Sequence, residues 1–355
     1  MQYPRMLIYP EKIRHNSRIM KEILAQSGID TLAGVTKVFG GNPELAQKML
    51  DGGVDQLADS RIKNIFRMRD LDSEKWLLRM PMEAEIEDVV RYADASFNTE
   101  MQTVRQLNLE AARQGRVHKV FFMVDLGDLR EGYYRKERLM DAVEQSLKLK
   151  NIFLEGIGVN LKCYSGVIPT PETLYRLYEY REEILQRYNF KLNILSGGNS
   201  STMYLLGKST LPGINNLRLG ESIVCGTEFA YGQRIPNTFD DIFVLEAQIV
   251  EVKSKPSIPS GKLGKNSYGM IPSRTDKGIR RIALAAVGSQ DTDLISLQPL
   301  DEDLVINGIG SDLLIVDITE SQKEYQVGDI LSFKMEYMAI LSGWTSEYVE
   351  KVFVM

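Results

Sequence analysis

The chain has 355 residues and a formal net charge of −5, and 43% of its residues are hydrophobic. This acidic balance argues against nucleic acid as the main partner, and no apolar run has the length of a membrane span. The two cysteines, Cys163 and Cys225, give neither metal-ligand spacing nor a disulfide framework, so we expect a reducing cytoplasm and no metal.

Short apolar runs alternate with amphipathic segments through the first two thirds of the chain. The runs that we predict as strands are Leu32–Val38, Gln56–Asp59, Trp76–Met80, Ala95–Asn98, Val120–Leu126, Leu154–Leu161, Leu192–Leu195 and Leu217–Leu219. The segments with apolar residues at helical spacing are Pro10–Gln26, Pro43–Leu50, Ser60–Leu71, Glu83–Tyr92, Glu100–Gln114, Arg135–Leu149 and Pro171–Arg187. Strands buried on both faces belong to parallel sheets, and eight such units in roughly 200 residues predict a (β/α)8 TIM barrel over residues 1–236.

The remaining residues, 237–355, show a different pattern, with strand-like runs separated by turn residues. The predicted strands are Phe243–Val252, Arg281–Val287, Leu313–Ile318, Ile330–Lys334 and Tyr348–Val354. We therefore predict a second, all-β domain. The stretch Lys255–Arg280 is rich in Gly, Ser, Pro and Lys, which indicates a functional loop or a flap that becomes ordered on assembly.

Catalytic groups of such barrels follow the carboxyl ends of the strands. The first predicted strand ends at Lys37, just before Gly40 and Gly41. A lysine amine in this place is a candidate to attack a carbonyl and form a Schiff base. The alternative is an ordinary strand-end lysine that keeps its ammonium in solvent. Neither His15 nor His118 follows a strand, which disfavours histidine zinc sites and Ser-His-Asp catalysis.

A glycine-rich segment, Ser196–Ser201, follows the seventh predicted strand and opens a helix. Its glycines let the backbone approach a phosphate, although a plain helix N-cap has a similar sequence. After the eighth strand, Arg218 and Gly220 add an arginine and a second loop glycine, where a rim ion pair is the alternative for Arg218. Lys37 and a phosphate cradle at one barrel mouth together predict a bound phosphorylated aldehyde, a description that pyridoxal 5'-phosphate (PLP) fits.

With these motifs the chain resembles the alanine racemase group of fold type III PLP enzymes over nearly its whole length. Within that group it is similar to ornithine racemases and related amino-acid racemases. The resemblance implies that Lys37 is the PLP lysine and also a catalytic base. The cofactor-binding positions that it implies are Lys37, Asn160, Asn199, Ser200, Ser201, Arg218, Gly220 and Glu221.

Two arginines take specific roles from this resemblance. Arg130, in the motif Asp125–Gly132, is expected near the phenolic oxygen of the cofactor and the substrate carboxylate, and we count it as catalytic. Arg218 is expected to hydrogen-bond the pyridine nitrogen. Because arginine keeps its proton, the ring nitrogen stays unprotonated and the ring is a weaker electron sink. This favours racemisation over transamination.

The chain also departs from the alanine racemase pattern. Asn160 stands where that group has a histidine behind the cofactor, and the turn Gly288–Asp291 lacks the tyrosine that acts there as second base. Our candidates for the second acid/base are Cys163, Tyr164, Asp291 and Tyr268, each of which also has an ordinary structural interpretation.

Asp291 and Asp312 are candidates to accept the side-chain ammonium of a basic substrate such as ornithine, and Cys163 is a further candidate substrate contact. The alternative for both carboxylates is turn capping. The resemblance also implies a homodimer in which the β domain completes the partner's active site. Other functions considered are alanine racemase proper, a PLP decarboxylase, whose catalytic cysteine belongs in the β domain, and a PLP-binding protein without turnover.

Overall fold

The computed structural model describes residues 2–265, 275–293 and 295–354. They form two compact units, residues 10–240 and residues 1–9 together with residues 241–355. None of the helices in the described ranges is long and apolar enough to cross a membrane. Tyr268 lies outside the described residues.

In chain order the strands and helices of the described residues are β1 (Arg5–Ile8), α1 (Pro10–Gln26), β2 (Thr31–Val35), α2 (Pro43–Asp51), β3 (Gln56–Asp59), α3 (Ile62–Arg67), β4 (Glu74–Leu77), α4 (Ile86–Tyr92), β5 (Ala95–Asn98), α5 (Met101–Arg113), β6 (His118–Val124), α6 (Lys136–Ser146), β7 (Ile152–Val159), α7 (Pro171–Tyr188), β8 (Ile194–Ser196), β9 (Asn216–Leu219), α8 (Glu221–Cys225), β10 (Phe243–Pro256), β11 (Ile279–Ala285), β12 (Leu297–Pro299), β13 (Val305–Ile309), β14 (Leu314–Asp317), β15 (Ile330–Met335), α9 (Tyr337–Thr345) and β16 (Glu350–Phe353). Short 3₁₀ turns cover Lys37–Phe39, Glu83–Glu85 and Ser200–Leu205.

Strands β2 to β9 form a closed parallel barrel in chain order, and β9 pairs with β2 to close it. This confirms the predicted (β/α)8 architecture. Large side chains fill the barrel interior, where the rings of Phe97 and Phe121 stack with centroids 4.5 Å apart and Trp76 packs against both. Because the interior is packed with apolar groups, polar side chains gather where the strands end.

Local sequence explains why several barrel helices begin where they do. Asn42 accepts a hydrogen bond from the Leu45 amide at 3.1 Å, and Pro43 occupies the first turn of α2. Thr170 caps α7 in the same way, by accepting from the Thr173 amide ahead of another first-turn proline. A side-chain cap followed by proline is a strong helix start, because proline lacks the N–H that would otherwise need a partner there.

The second unit is a mainly antiparallel sheet with the strand order β12-β15-β10-β11-β14-β13. This confirms the predicted β domain. Strand β1 also belongs to it, since it pairs antiparallel with β10 and parallel with β16, so residues 1–9 lie here although the sequence placed them with the barrel. Helix α9 was not predicted. Residues 266–274 of the expected flap lie outside the described residues.

Candidate active site

The first candidate residue, Lys37, does not end a strand, because β2 stops at Val35. Thr36 is fully buried, and its hydroxyl donates to the Asp59 carboxylate at 2.7 Å. Lys37 then opens a 3₁₀ turn that closes at Gly40, whose φ is 58°. The Lys37 side chain is exposed rather than buried. Thr36 therefore fixes the point at which the chain leaves the barrel and presents Lys37.

The Asp125–Gly132 motif shapes its own loop after β6. The Asp125 carboxylate accepts hydrogen bonds from the amides of Gly127 at 2.8 Å and Leu129 at 3.1 Å. A Cβ on Gly132 would lie 2.5 Å from the Asp125 nitrogen, so only glycine fits there. The aspartate and the last glycine of the motif are therefore structural, and they place Arg130 and Glu131 between them.

Asp128, in the same loop, holds the loop that follows β7. Its buried carboxylate accepts hydrogen bonds from the backbone amides of Tyr164 at 2.9 Å and of Ser165 and Val167 at 3.2 Å each. The Asp128 side chain thus ties the loop after β6 to the loop after β7 through three hydrogen bonds.

Arg130 and Arg218 are joined through two intervening side chains. Arg130 makes a two-bond ion pair with Glu131, in which Nη2 donates to Oε1 at 2.6 Å. Glu131 Oε1 also accepts from Asn160 Nδ2 at 2.7 Å. Asn160 Oδ1 in turn accepts from Arg218 Nη2 at 2.7 Å. We call Glu131 and Asn160 the bridge.

Arg218 is only 3% exposed, unlike an arginine in a rim ion pair. It donates to the Val159 carbonyl at 2.7 Å and to the Ser196 hydroxyl, and its guanidinium lies 4.9 Å from the centroid of the Phe97 ring. Burial lowers the pKa of Arg218 to about 10, which still leaves it charged at neutral pH. Among the described residues Arg218 makes three side-chain hydrogen bonds, so two of its five N–H donors remain for a ligand.

Cys163 lies close to both expected catalytic cations. Asn199 Nδ2 donates to its sulfur at 3.2 Å. Burial raises the pKa of the Cys163 thiol, and the positive charges of Arg130 and Lys37 oppose that rise. Cys163 therefore contacts Asn199 and interacts electrostatically with Lys37 and Arg130. Tyr164, the neighbouring candidate, is 72% exposed.

The segment after β8 and the start of α8 form one cradle. The Asn199 side chain accepts a hydrogen bond from the Ser201 amide at 2.8 Å, and this contact is the predicted N-cap. Ser200 Oγ accepts a hydrogen bond from the Ser222 amide at 3.1 Å. Within the described chain, the buried hydroxyls of Ser201 and Ser222 have no hydrogen-bond partner. Such groups destabilise a protein unless a ligand meets them, and phosphate oxygens are suitable acceptors.

Glycine geometry supports the same fit. A Cβ on Gly198, at φ 115°, would lie 2.9 Å from the Thr202 hydroxyl, and one on Gly220 would lie 3.2 Å from Val35 Cβ. A side chain at position 198 would collide with Thr202, and one at position 220 would press against Val35. Glu221, the first residue of α8, is half-buried at its edge. The residues present fit the phosphate of PLP.

Sequence reasoning missed Glu131, Ser196 and Ser222 as site residues. Glu131 stands inside a recognised motif, but its role depends on Asn160, which is 29 residues further along the chain. Ser222 follows Gly220 closely enough that its place in the first turn of α8 could have been recognised as a phosphate contact.

Asp291 and Asp312 lie in the second unit, on two turns that are hydrogen-bonded to each other. Ser289 N donates to Gly310 O at 3.0 Å, and Gln290 N donates to Ser311 O at 3.1 Å. Asp291 is 5% exposed and accepts from the Gly288 amide at 2.8 Å, so it does cap its turn. Burial raises the pKa of Asp291, and the negative charge of Asp312 adds to the rise. Asp312 accepts from the Ser311 hydroxyl at 3.1 Å.

The two histidines lie elsewhere in the barrel unit. His118 begins β6, at the amino end of the strand, where its Nε2 lies 2.9 Å from the Ser96 hydroxyl. Burial lowers the pKa of His118 to about 4, so it is neutral at physiological pH. His15 Nε2 lies 2.8 Å from the Asn237 carbonyl.

Comparison with known proteins gives consistent matches. Residues 8–227 match the family model described as alanine racemase, N-terminal domain. The chain is 47% identical over 350 residues to an ornithine racemase of Acetoanaerobium sticklandii, covering 98% of this chain and 99% of that protein. It is 35% identical over 356 residues to a lysine racemase of Thermotoga maritima, covering 99% of each.

Solved structures share the fold at lower identity. Alanine racemase from Streptomyces lavendulae superposes with a TM-score of 0.74 at 13% identity, covering 100% of this chain and 98% of that one. Alanine racemase from Bartonella henselae with covalently bound pyridoxal phosphate gives a TM-score of 0.73 at 15% identity and covers 99% of both chains.

Proposed function

Because this chain belongs to the alanine racemase family, we propose that it is a PLP-dependent racemase that interconverts the L and D forms of a basic amino acid, with ornithine as the preferred substrate. The observation that carries the proposal is the buried Arg218, which is hydrogen-bonded to Asn160 in a barrel that also holds two buried hydroxyls, Ser201 and Ser222, without a partner among the described residues. Relatives named ornithine racemase and lysine racemase support the basic substrate.

The residues that would hold PLP are Lys37, Asn160, Arg218 and the cradle formed by Asn199, Ser200, Ser201, Gly220, Glu221 and Ser222. Bound PLP supplies the electron sink that makes the Cα proton of an amino acid removable. Arg218 keeps its proton and would offer its remaining donors to the ring nitrogen, which would restrain the sink and favour racemisation. Gly198 and Gly220 lack a side chain that would meet Thr202 and Val35, so the backbone can take this course beside the proposed phosphate site.

The proton transfers belong to this chain's own residues. We assign Lys37 as the base on one face of Cα, since its amine is exposed at the mouth. Arg130, which is paired with Glu131, would orient the substrate carboxylate with a charge-assisted bond. For the other face, Cys163 is supported by its electrostatic interaction with Lys37 and Arg130 and by its contact with Asn199. Tyr164, Asp291 and Tyr268 remain alternatives.

The second domain, predicted as residues 237–355, supplies the proposed substrate selectivity. Asp291 and Asp312 place two carboxylates on adjoining turns, a suitable environment for a side-chain ammonium. In our proposal the enzyme is a cytoplasmic homodimer in which this domain completes the partner's site. Racemisation then depends on assembly.

The proposal is tested with the PLP-loaded protein on ornithine, lysine, alanine and serine. Chiral chromatography measures interconversion and a coupled assay measures CO2. We expect racemisation of ornithine, then lysine, without CO2. A preference for alanine would identify an alanine racemase proper, and CO2 release a decarboxylase. A protein that holds PLP and turns over none of the four would be a binding protein, which would overturn the proposal.

A further inference from the structure

One carboxylate at the barrel mouth serves two arginines. Glu131 pairs directly with Arg130, and the same Oε1 atom receives the Asn160 amide that also holds Arg218. Asn160 uses its two ends differently, since Nδ2 donates to Glu131 and Oδ1 accepts from Arg218. This amide orientation is therefore fixed by a carboxylate on one side and a guanidinium on the other.

The environment of Arg218 explains why this arrangement matters. Its hydrogen-bond partners among the described residues are all neutral, namely Ser196, Val159 and Asn160. A buried charge without an anionic partner is strongly destabilising, so a nearby anion is needed. Glu131 is the largest favourable charge acting on Arg218. Asn160 lies between Glu131 and Arg218 in this hydrogen-bonded chain. The Glu131 carboxylate therefore does not occupy the N–H donors of Arg218.

Resting on the proposed function, we propose that Glu131 is a positioning residue that, through Asn160, fixes Arg130 and Arg218 as one unit. It neutralises part of both charges while leaving Arg218 donors free for the cofactor ring. The arginine expected at the substrate carboxylate and the arginine expected at the ring nitrogen are then held by one anion. Neither can be displaced without disturbing the bridge.

The proposal predicts that mutation can separate two effects of Glu131, its negative charge and its positioning of Arg130 and Arg218. Glu131→Gln removes the anion, and in Glu131→Gln/Asn160→Asp the carboxylate moves one residue closer to Arg218. An Asp side chain at position 160 can accept a hydrogen bond from Arg218. A Gln side chain at position 131 can donate a hydrogen bond to that new carboxylate. Glu131→Asp keeps the charge with a shorter reach. Glu137→Gln, on the exposed first turn of α6, is the matched control for loss of one negative charge.

Two readouts distinguish charge from position in the PLP-loaded protein. The first is the pH midpoint of the visible absorbance of bound PLP, and the second is the split between KM and kcat for ornithine. Loss of a nearby anion favours deprotonation, so Glu131→Gln should lower the midpoint, by about one pH unit, and raise KM roughly tenfold. The double variant should recover the midpoint but not KM, because Arg130 has lost its partner. Glu131→Asp should keep the midpoint and raise KM, and Glu137→Gln should change neither.

A midpoint in Glu131→Gln equal to that of the wild type would overturn the proposal, as would a shift of the same size in Glu137→Gln. Thermal unfolding checks that each variant folds. If Glu131→Gln does not fold, a wild-type midpoint together with a wild-type KM in Glu131→Asp would overturn it. The absorbance titration requires no turnover, so a shifted midpoint in a protein without racemase activity would reject the proposed function and leave the bridge in place.

Discussion

The acidic residues of the barrel mouth and those of the second unit are held in different ways. At the mouth, Asp125 accepts two backbone amides, Asp128 accepts three, and Glu131 bonds to both Arg130 and Asn160. In the second unit, Asp291 and Asp312 each receive one hydrogen bond from the described residues and raise each other's energy by repulsion.

This difference indicates that the two groups of carboxylates have different roles. A carboxylate whose acceptor sites are filled by protein donors fixes geometry, whereas a carboxylate with open acceptor sites next to a like charge favours a cation. We therefore expect mutations at the mouth to affect the rate for every substrate. Mutations of the second-unit acids should affect the choice among substrates.

The largest effect is expected at Lys37. Lys37→Ala should reduce racemisation of ornithine and alanine alike by about a thousandfold or more, because it removes the residue proposed both to hold the cofactor and to act as a base. The measurement is the initial rate in both directions. Lys63→Ala, an exposed lysine on α3, is the matched control. Substantial racemisation in Lys37→Ala would show that the chemistry is not centred on this mouth.

Arg218 comes next. Arg218→Glu should lower the racemisation rate by roughly a hundredfold and raise the amount of keto acid formed per turnover, since a protonated ring nitrogen makes a stronger electron sink. Keto acid is measured by reduction with a coupled dehydrogenase. The neutral Arg218→Gln tests whether folding tolerates loss of the buried charge. A keto acid yield unchanged from the wild type in a folded Arg218→Glu protein contradicts this role.

Asp291→Asn should lower the preference for ornithine over alanine roughly tenfold while leaving alanine turnover unchanged, and Asp312→Asn should have a smaller effect in the same direction. Only ionised Asp291 attracts an ammonium, and its pKa is raised. The ornithine preference should therefore be lost as the pH falls, above the pH at which an ordinary aspartate titrates. Ratios of kcat/KM across pH measure this. Equal preference in Asp291→Asn and in the exposed control Asp303→Asn would remove the second unit from selectivity.

The smallest effect is expected at Ser222, and its sign should depend on the cofactor. Ser222→Ala removes a buried hydroxyl without a partner in the described chain, so the protein free of PLP should be as stable or slightly more stable. The affinity for PLP should fall by roughly fivefold, because one phosphate hydrogen bond is lost. Thermal unfolding without PLP and a PLP titration provide the two measurements. A less stable PLP-free protein would show that the hydroxyl is structural.

The sequence was sufficient for the barrel, because short strand-like runs alternate with segments of helical spacing. Gln56–Asp59 and Ala95–Asn98 have the predicted bounds. It was insufficient for β1, whose four residues are ordered by partners far along the chain, such as Glu246 opposite Arg5. Helix α9 is short and apolar throughout, a pattern that does not separate helix from strand.

For the candidate site, too, only part of the arrangement could be predicted from the sequence. Types of residue and their order along the strands were enough to select Lys37, Arg218 and the cradle after β8. The bridge was not predicted, because it depends on side-chain distances between Glu131 and Asn160 that no spacing rule contains. The 3₁₀ turn that exposes Lys37 follows the buried contact of Thr36 with Asp59, which belongs to the neighbouring strand.

The hold of Asp128 on residues 164–167 has a consequence for engineering. The loops after β6 and β7 form a single cassette, since the second takes its shape from three amides that end on a carboxylate in the first. A designer who exchanges the Cys163 loop for that of another racemase, in search of a new substrate, would leave those amides without an acceptor unless residues 125–133 are exchanged with it. Variation in this part of the barrel is therefore best sampled in pairs of loops.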